Sequence, residues 1–448
     1  YNVRTLKTAL LRHLGLRDDA VSFAKETLSI DPLEMGARFE LAKLSENSDW
    51  TEIMRADNED YRELSMIYME AGLDAEAREI LLACPNKNEP MTYYYLYHLT
   101  GEEEWLKKAE ETDSLHCFPN RLMDVVVLSK AVSKDCPMAA YYLGCLYYDK
   151  GEWEKARSLW ESVENRITLP TVHRNLSLVY YNKCQDVEKA RNEMELAFKM
   201  DKEDARVFFE LDQLYKVMEL YYGDRLANME ENKALLTRRD DLYTEYISLL
   251  NRDGQYQLAY DLIMGHKFHP WEGGEGKITG EYRRALMGLA SKCEDSDKGR
   301  EKARTLLKQA LNFPENLGEG KLIGELDNDI YWNLACLSDG AEKEEYLNLA
   351  ARGENNFSSA MYYNDQPPEM MYYRALALNG LGRKDEAKAI GEAMVEYGKE
   401  HSADRVKIDY FAVSLPDFLI YEADLAKKNV KHCENMMRLG ERILQGTI

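Results

Sequence analysis

The chain has 448 residues, of which 45% are hydrophobic and 31% charged, with a formal net charge of −22. No run approaches the eighteen or so apolar residues of a membrane-spanning helix. The acidic balance, without a Lys/Arg cluster, excludes nucleic acid and anionic membrane surfaces as partners, because a phosphate backbone needs a basic footprint.

The first residues, Tyr1-Asn2-Val3, carry no Met, no basic segment and no apolar core of a signal. They are expected to belong to a piece of a longer protein or to one that has lost a targeting segment. The eight cysteines (Cys84, Cys117, Cys136, Cys145, Cys184, Cys293, Cys336, Cys433) form no CxxC and no metal-ligand spacing with a His. Scattered cysteines in a large chain behave as small, buried, reduced hydrophobes, which points to a reducing compartment and a cytoplasmic location.

In chain order, the first helical pair falls at 5–32, with Gly15, Ala20 and Ala24 at its turn and crossing points. Asp31-Pro32 is expected to close that unit and open the next, Asp as a cap and Pro in a first turn. At 61–82, Leu64, Ser65, Tyr68, Gly72, Ala77 and Leu81 sit at the same offsets as Leu143, Gly144, Tyr147, Gly151, Ala156 and Trp160 at 141–161. The pairs Gly254/Ala259 and Gly382/Ala387 repeat the spacing. The physical reading is one helical hairpin per unit. Gly ends the first helix in a left-handed conformation, and Ala lets the two backbones approach where they cross. Leu, Tyr and Trp then fill the groove against the next pair. A weaker unit at 171–200 needs a one-residue insertion before Ala190, and another spans 281–314. The segments 91–119, 205–235 and 329–353 read as degenerate pairs. The period resembles the tetratricopeptide repeat. The expected fold is all-α, a right-handed tetratricopeptide-like α-solenoid, with regular repeats over 1–265 and loop-bearing repeats over 266–448 continuous with them. The Gly breaks exclude a heptad coiled coil, and no persistent strand signal supports an α/β fold.

The interruptions lie in the C-terminal part. FHPWEGGEGKITGEY (268–282) and the segment 313–330 share Pro-x-x-x-Gly-Glu-Gly-Lys, once at 270–277 and again at 314–321. Neither copy is a phosphate loop: Ile278 and Leu322 follow the lysines, no strand precedes, and the carboxylates would repel phosphate. Two readings stand. In one, these are long loops packed over the groove, with Phe268 and Trp271 as anchors. In the other, they form a ligand site with the composition of a carbohydrate site. Its candidates are Phe268, His269, Trp271, Glu272, Glu275 and Lys277 in the first copy and Glu315, Asn316, Glu319 and Lys321 in the second. The third interruption, 361–370, adds Tyr362, Tyr363, Asn364 and Asp365, with Pro367-Pro368 opening a helix. The fourth, 406–420, adds Asp409, Tyr410 and Asp417. Paired carboxylates suit glycosidic acid/base chemistry only at the right separation. No nucleophile elbow, HExxH or dinucleotide fingerprint occurs, His266 and His269 alone make a weak metal site, and no metal or cofactor is expected.

FHPWEGGEGK, FPENLGEG, MYYNDQPPE and KIDYFAVSLPDFL together resemble the C-terminal repeat region of a family of large bacterial proteins. In that family an N-terminal domain of unknown function has a β-rich, galactose-mutarotase-like fold. The resemblance covers essentially the whole chain and is tightest from about residue 240 onward. It implies the C-terminal part of a larger carbohydrate-related protein. The leading expectation is a non-catalytic scaffold holding its own N-terminal domain or a peptide. The alternative is that the loops help build the active site of a carbohydrate-processing enzyme.

Overall fold

The computed structural model describes all residues except 1, 46–49, 55–56, 113–115, 270, 272, 323, 355–356, 359–366, 407–419, 423 and 447–448. Contacts group the chain into two units, Tyr1–Val179 and Tyr180–Ile448. The loop-bearing part expected from residue 266 lies wholly within the second. Among the described residues there are 24 α-helices and no strand.

The first unit contains α1 (Asn2–His13), α2 (Arg17–Ile30), α3 (Met35–Leu44), α4 (Asn58–Glu70), α5 (Asp74–Leu82), α6 (Pro90–Thr100), α7 (Glu103–Glu111), α8 (Leu122–Val132), α9 (Pro137–Asp149), α10 (Trp153–Val163) and most of α11 (Pro170–Asn182). The second continues with α12 (Val187–Met200), α13 (Ala205–Val217), α14 (Tyr222–Glu231), α15 (Lys233–Leu236), α16 (Asp240–Arg252), α17 (Tyr256–Met264), α18 (Lys277–Ser291), α19 (Asp297–Gln309), α20 (Asn328–Cys336), α21 (Gly340–Ala350), α22 (Pro368–Gly380), α23 (Lys384–His401) and α24 (Leu425–Leu444). Successive helices pack as hairpins, among them α1/α2, α4/α5, α6/α7, α9/α10, α16/α17, α18/α19, α20/α21 and α22/α23. This is the tetratricopeptide-like helical-repeat fold. The segments read as degenerate pairs are helical too: α6/α7, α13/α14 and α20/α21.

The local logic of the hairpin holds at each strong repeat. Gly15, Gly72, Gly151, Gly254 and Gly382 have φ of 72°, 73°, 81°, 80° and 80°, the left-handed region that a side chain resists. Five residues on, Ala20, Ala77, Ala156, Ala259 and Ala387 are buried at the crossing. In the weak unit the same left-handed turn is made by Gln185, at φ 56°, again five residues before buried Ala190, so the inserted residue lies ahead of the turn. Close approach is tightest in α9/α10. A Cβ on Gly144 would lie 2.5 Å from Nε1 of Trp160. That indole is 1% exposed and donates to the carbonyl of Tyr141 at 3.2 Å.

Two boundaries, and the exposure of one cysteine, differ from the sequence expectation. Asp31 does not cap the helix after Pro32. Its carboxylate accepts from the backbone N–H of Leu33, and Glu34 caps α3 by accepting from Ala37. Residues 277–282, expected as loop, are the first turns of α18, where buried Ile278, Thr279 and Tyr282 give the segment an inward face. Of the cysteines, Cys84, Cys117, Cys136 and Cys433 are buried, but Cys336 is exposed; all eight are free thiols. Pro368 opens α22 as expected, in the first turn where its missing N–H costs nothing.

The second unit also joins its own ends. The side chain of Asn182 donates to the carbonyl of Ile420 and accepts from the N–H of Glu422, both at 2.8 Å. Buried Tyr421 meets Tyr181 edge-on, with centroids 5.1 Å apart. On α24, Lys427 and Lys431 reach Glu219 at 2.9 and 2.7 Å.

Candidate functional site

The two Pro-x-x-x-Gly-Glu-Gly-Lys copies, 44 residues apart in sequence, lie against one another. The first loop leaves α17 and is pinned at its base. Phe268 is 1% exposed, stacked on Tyr243 at 6.0 Å and meeting His266 edge-on at 4.6 Å. It is a core anchor, not a ligand-facing ring. Asp240, at the start of α16, accepts from Nε2 of His266 at 2.7 Å and from the backbone N–H and Nδ1 of His269 at 2.7 and 3.1 Å. Burial resists ionisation of that carboxylate, but these donors outweigh it and hold it below the ordinary range. The pair of histidines is thus explained by one aspartate. Among the described residues no group of three or more His, Cys, Asp or Glu is placed to hold a metal.

Further along, the indole of Trp271 lies directly on Gly274, where a Cβ would come within 2.0 Å of it. Trp271 is half-buried, and Nζ of Lys277 sits 5.9 Å from its ring centroid. Gly276, at φ 75°, turns the chain into α18, and its N–H donates to Oε2 of Glu319 in the second copy at 2.9 Å. Glu272 lies outside the described residues.

The second loop supplies the return contacts. Asn316 donates from Nδ2 to the carbonyls of Ile263 and His266, each at 2.8 Å, and its own carbonyl accepts from Phe268 at 2.8 Å. One asparagine therefore satisfies the frayed end of α17 and the first residues of the loop. Glu315 beside it is exposed. Lys321 turns back to its own segment, donating to the carbonyl of Leu311 at 3.0 Å and to Asp327. Arg283 on α18 pairs with Glu325, Asp327 and Asp329 at 3.1, 3.0 and 2.9 Å. Glu319 is pushed above the ordinary carboxylate range, first by burial and then by Glu275 and Glu325; its Oε1 is buried without a hydrogen-bond partner among the described residues. Burial likewise raises Asp329 despite Arg283.

The structure thus brings together Phe268, His269, Trp271, Glu275, Lys277, Asn316, Glu319 and Lys321. Tyr362, Tyr363, Asn364, Asp365, Asp409, Tyr410 and Asp417 lie outside the described residues. Sequence reasoning missed Asp240, Arg283, Asp327 and Asp329. The signal available was Arg283-Arg284 in α18 opposite the acid-rich 325–329, visible only once the two loops are known to meet. It also missed a second buried charge cluster, in which Arg225 on α14 grips Asp212 at 3.0 and 2.7 Å and Glu245 at 2.7 Å.

No protein-family model matches the chain. Among solved structures it is similar to helical-repeat proteins. The C-terminal part of a TPR repeat-containing protein from Cytophaga hutchinsonii is 14% identical, covers 68% of this chain and 100% of its own, and gives a TM-score of 0.31. A tetratricopeptide repeat protein from Parabacteroides merdae is 15% identical over 66% of this chain and 98% of its own, with a TM-score of 0.28. The TPR domain of P58(IPK) is 13% identical over 98% of both chains, with a TM-score of 0.24. At such identities and scores the likeness is one of helical-repeat architecture alone. No helix among the described residues is long and apolar enough to cross a membrane.

Proposed function

We propose that this chain is an interaction scaffold that holds a protein or peptide partner and does no chemistry of its own. The observation that carries this reading is where the twin loops direct their polar groups. Asn316, Lys321 and Asp240 all bond neighbouring groups of the same unit, so the loops brace the hairpins they join. With a net charge of −22, the surface favours a neutral or basic partner. That partner is a peptide segment, or the β-rich N-terminal domain that the family resemblance implies.

A second reading has one specific observation in its favour. The raised, half-buried carboxyl of Glu319 has an unpaired oxygen, and Glu275 is close enough to push its titration upward. A carboxyl raised above its ordinary range near a second acid is the kind of pair a carbohydrate-processing site uses. Trp271 in the facing loop would supply a stacking surface.

Two assays separate the readings. Short peptides graded from acidic to basic, probed with the whole chain, should bind in order of positive charge. A panel of oligosaccharides, titrated by calorimetry, should give no saturable heat. Saturable sugar binding that Trp271→Ala abolishes, with no peptide binding, would overturn the scaffold reading in favour of the second.

A further inference from the structure

The first unit contains a cavity of about 220 Å³ lined by Met66, Met69 and Glu70 of α4, Asp74 of α5, His98 and Leu99 of α6, and Met123 of α8. We infer that this cavity is the seat of a basic amphipathic peptide: an aliphatic side chain enters between the methionines, and a Lys or Arg of the same peptide reaches Glu70 and Asp74. This rests on the scaffold reading and gives it an address.

Size and chemistry both fit. A space of about 150 Å³ holds a benzene-sized group, so this one accepts Leu, Ile or Met. Its apolar wall is three thioethers and a leucine, all only half-buried and so presenting surface to an occupant. Methionine is unbranched and polarisable, and adapts to different apolar shapes. The charge at the edge has one sign. Glu70 and Asp74 are exposed, and neither side chain makes a hydrogen bond or ion pair among the described residues. The nearby cation, Lys130, is tied by Nζ to the carbonyl of His98 at 2.8 Å. Burial, and then Lys130, lowers the His98 imidazolium below its ordinary range, so at neutral pH the ring adds no positive charge. Bare apolar side chains also lie next to Met123 along the chain. Leu122 and Val126, one turn apart on the helix that supplies Met123, are 85% and 51% exposed, and Phe118 just before it is 75% exposed. Large side chains left bare beside an apolar cavity add apolar area that an amphipathic partner would cover.

The probe is a fluorescein-labelled synthetic helix with Leu on one face and Lys on the other, titrated into the whole chain. Binding is read by anisotropy, and its place by methyl NMR of ¹³C-methionine. The expected result is saturable binding with shifts of the Met66, Met69 and Met123 methyls. Affinity should fall roughly tenfold or more when the peptide's central Leu becomes Ala. A similar loss should follow Glu70→Lys with Asp74→Lys, two exposed sites whose change leaves the fold intact. The basic peptide should also weaken with added salt, as exposed charge pairs do. Binding that leaves these three methyls unmoved while others shift would overturn this site but keep the scaffold reading. Equal affinity for the double Lys variant would overturn the charge match and with it the proposal. Absence of binding by any basic peptide, here and on the graded series, would overturn both.

Discussion

The turn at Gly151 and the paired loops at 268–276 and 314–321 do the same job by opposite means. Each carries the chain out of one helix and into the next. At Gly151 the backbone does it alone: a left-handed residue ends α9, α10 follows at once, and Trp160 covers Gly144. In the loops, side chains from distant sequence do it. Asn316 ties down carbonyls at the end of α17 and just after it, Glu319 receives the N–H that opens α18, and Asp240 holds both histidines. A local turn needs one permissive residue. A long connection leaves many backbone groups to be paired, and its partners must come from elsewhere in the fold.

Mutations test that contrast in order of size. Trp160→Ala should cost the most, about 4 kcal/mol, because a fully buried indole leaves a cavity beside a glycine that cannot fill it. Hydrogen exchange across α9 and α10 reads the loss, and protection unchanged there would show the hairpin is held by something else. Asn316→Ala should cost about 2 kcal/mol, since the carbonyl of His266 loses its donor and that of Ile263 loses one of its donors. Asn316→Asp should fare no better, having no N–H to give. Exchange at the amide of Phe268 should rise in both; recovery in the Asp variant would mean the side chain's donor is unimportant. Gly151→Ala should cost about 1 kcal/mol, the strain of a Cβ at positive φ, with nothing nearby to clash. The smallest effect is one of pH. Glu319 is raised in the fold, so its contribution is present below its unfolded pKa and lost as pH rises through the folded value. Glu319→Gln, which keeps an acceptor for Gly276, should therefore melt progressively higher than the parent as pH rises from roughly 4 to 7. A difference in melting temperature that stays constant over that range would place the carboxyl in an ordinary environment.

The repeat was legible because its grammar is local. Gly72 and Ala77, or Gly382 and Ala387, lie five residues apart, and both the left-handed turn and the helix crossing are built within that span. Even the insertion before Ala190 showed, since a shifted Ala marks a shifted turn. The errors were local too, and instructive. Asp31-Pro32 looked like a helix start, but Glu34 was near enough to cap first. The Gly-rich run before ITGEY suggests a loop through 282, yet Ile278 and Tyr282 carry the period of a helix and α18 begins at Lys277.

What the sequence determined, then, is the hairpin: where chains turn, where they cross, and which loops depart from the pattern. Tertiary structure alone decided that the two twin loops meet, that Phe268 faces inward while Trp271 lies on Gly274, and that Met66, Leu99 and Met123 leave a space between three helices. The reason is distance along the chain. Gly276 and Glu319 are brought together by the stacking of α18 against α17 and α19, and the cavity exists only because α4, α6 and α8 pack at a particular offset. A periodic pattern specifies that helices pack; how far each is displaced on its neighbour is set by the side chains that interlock between them.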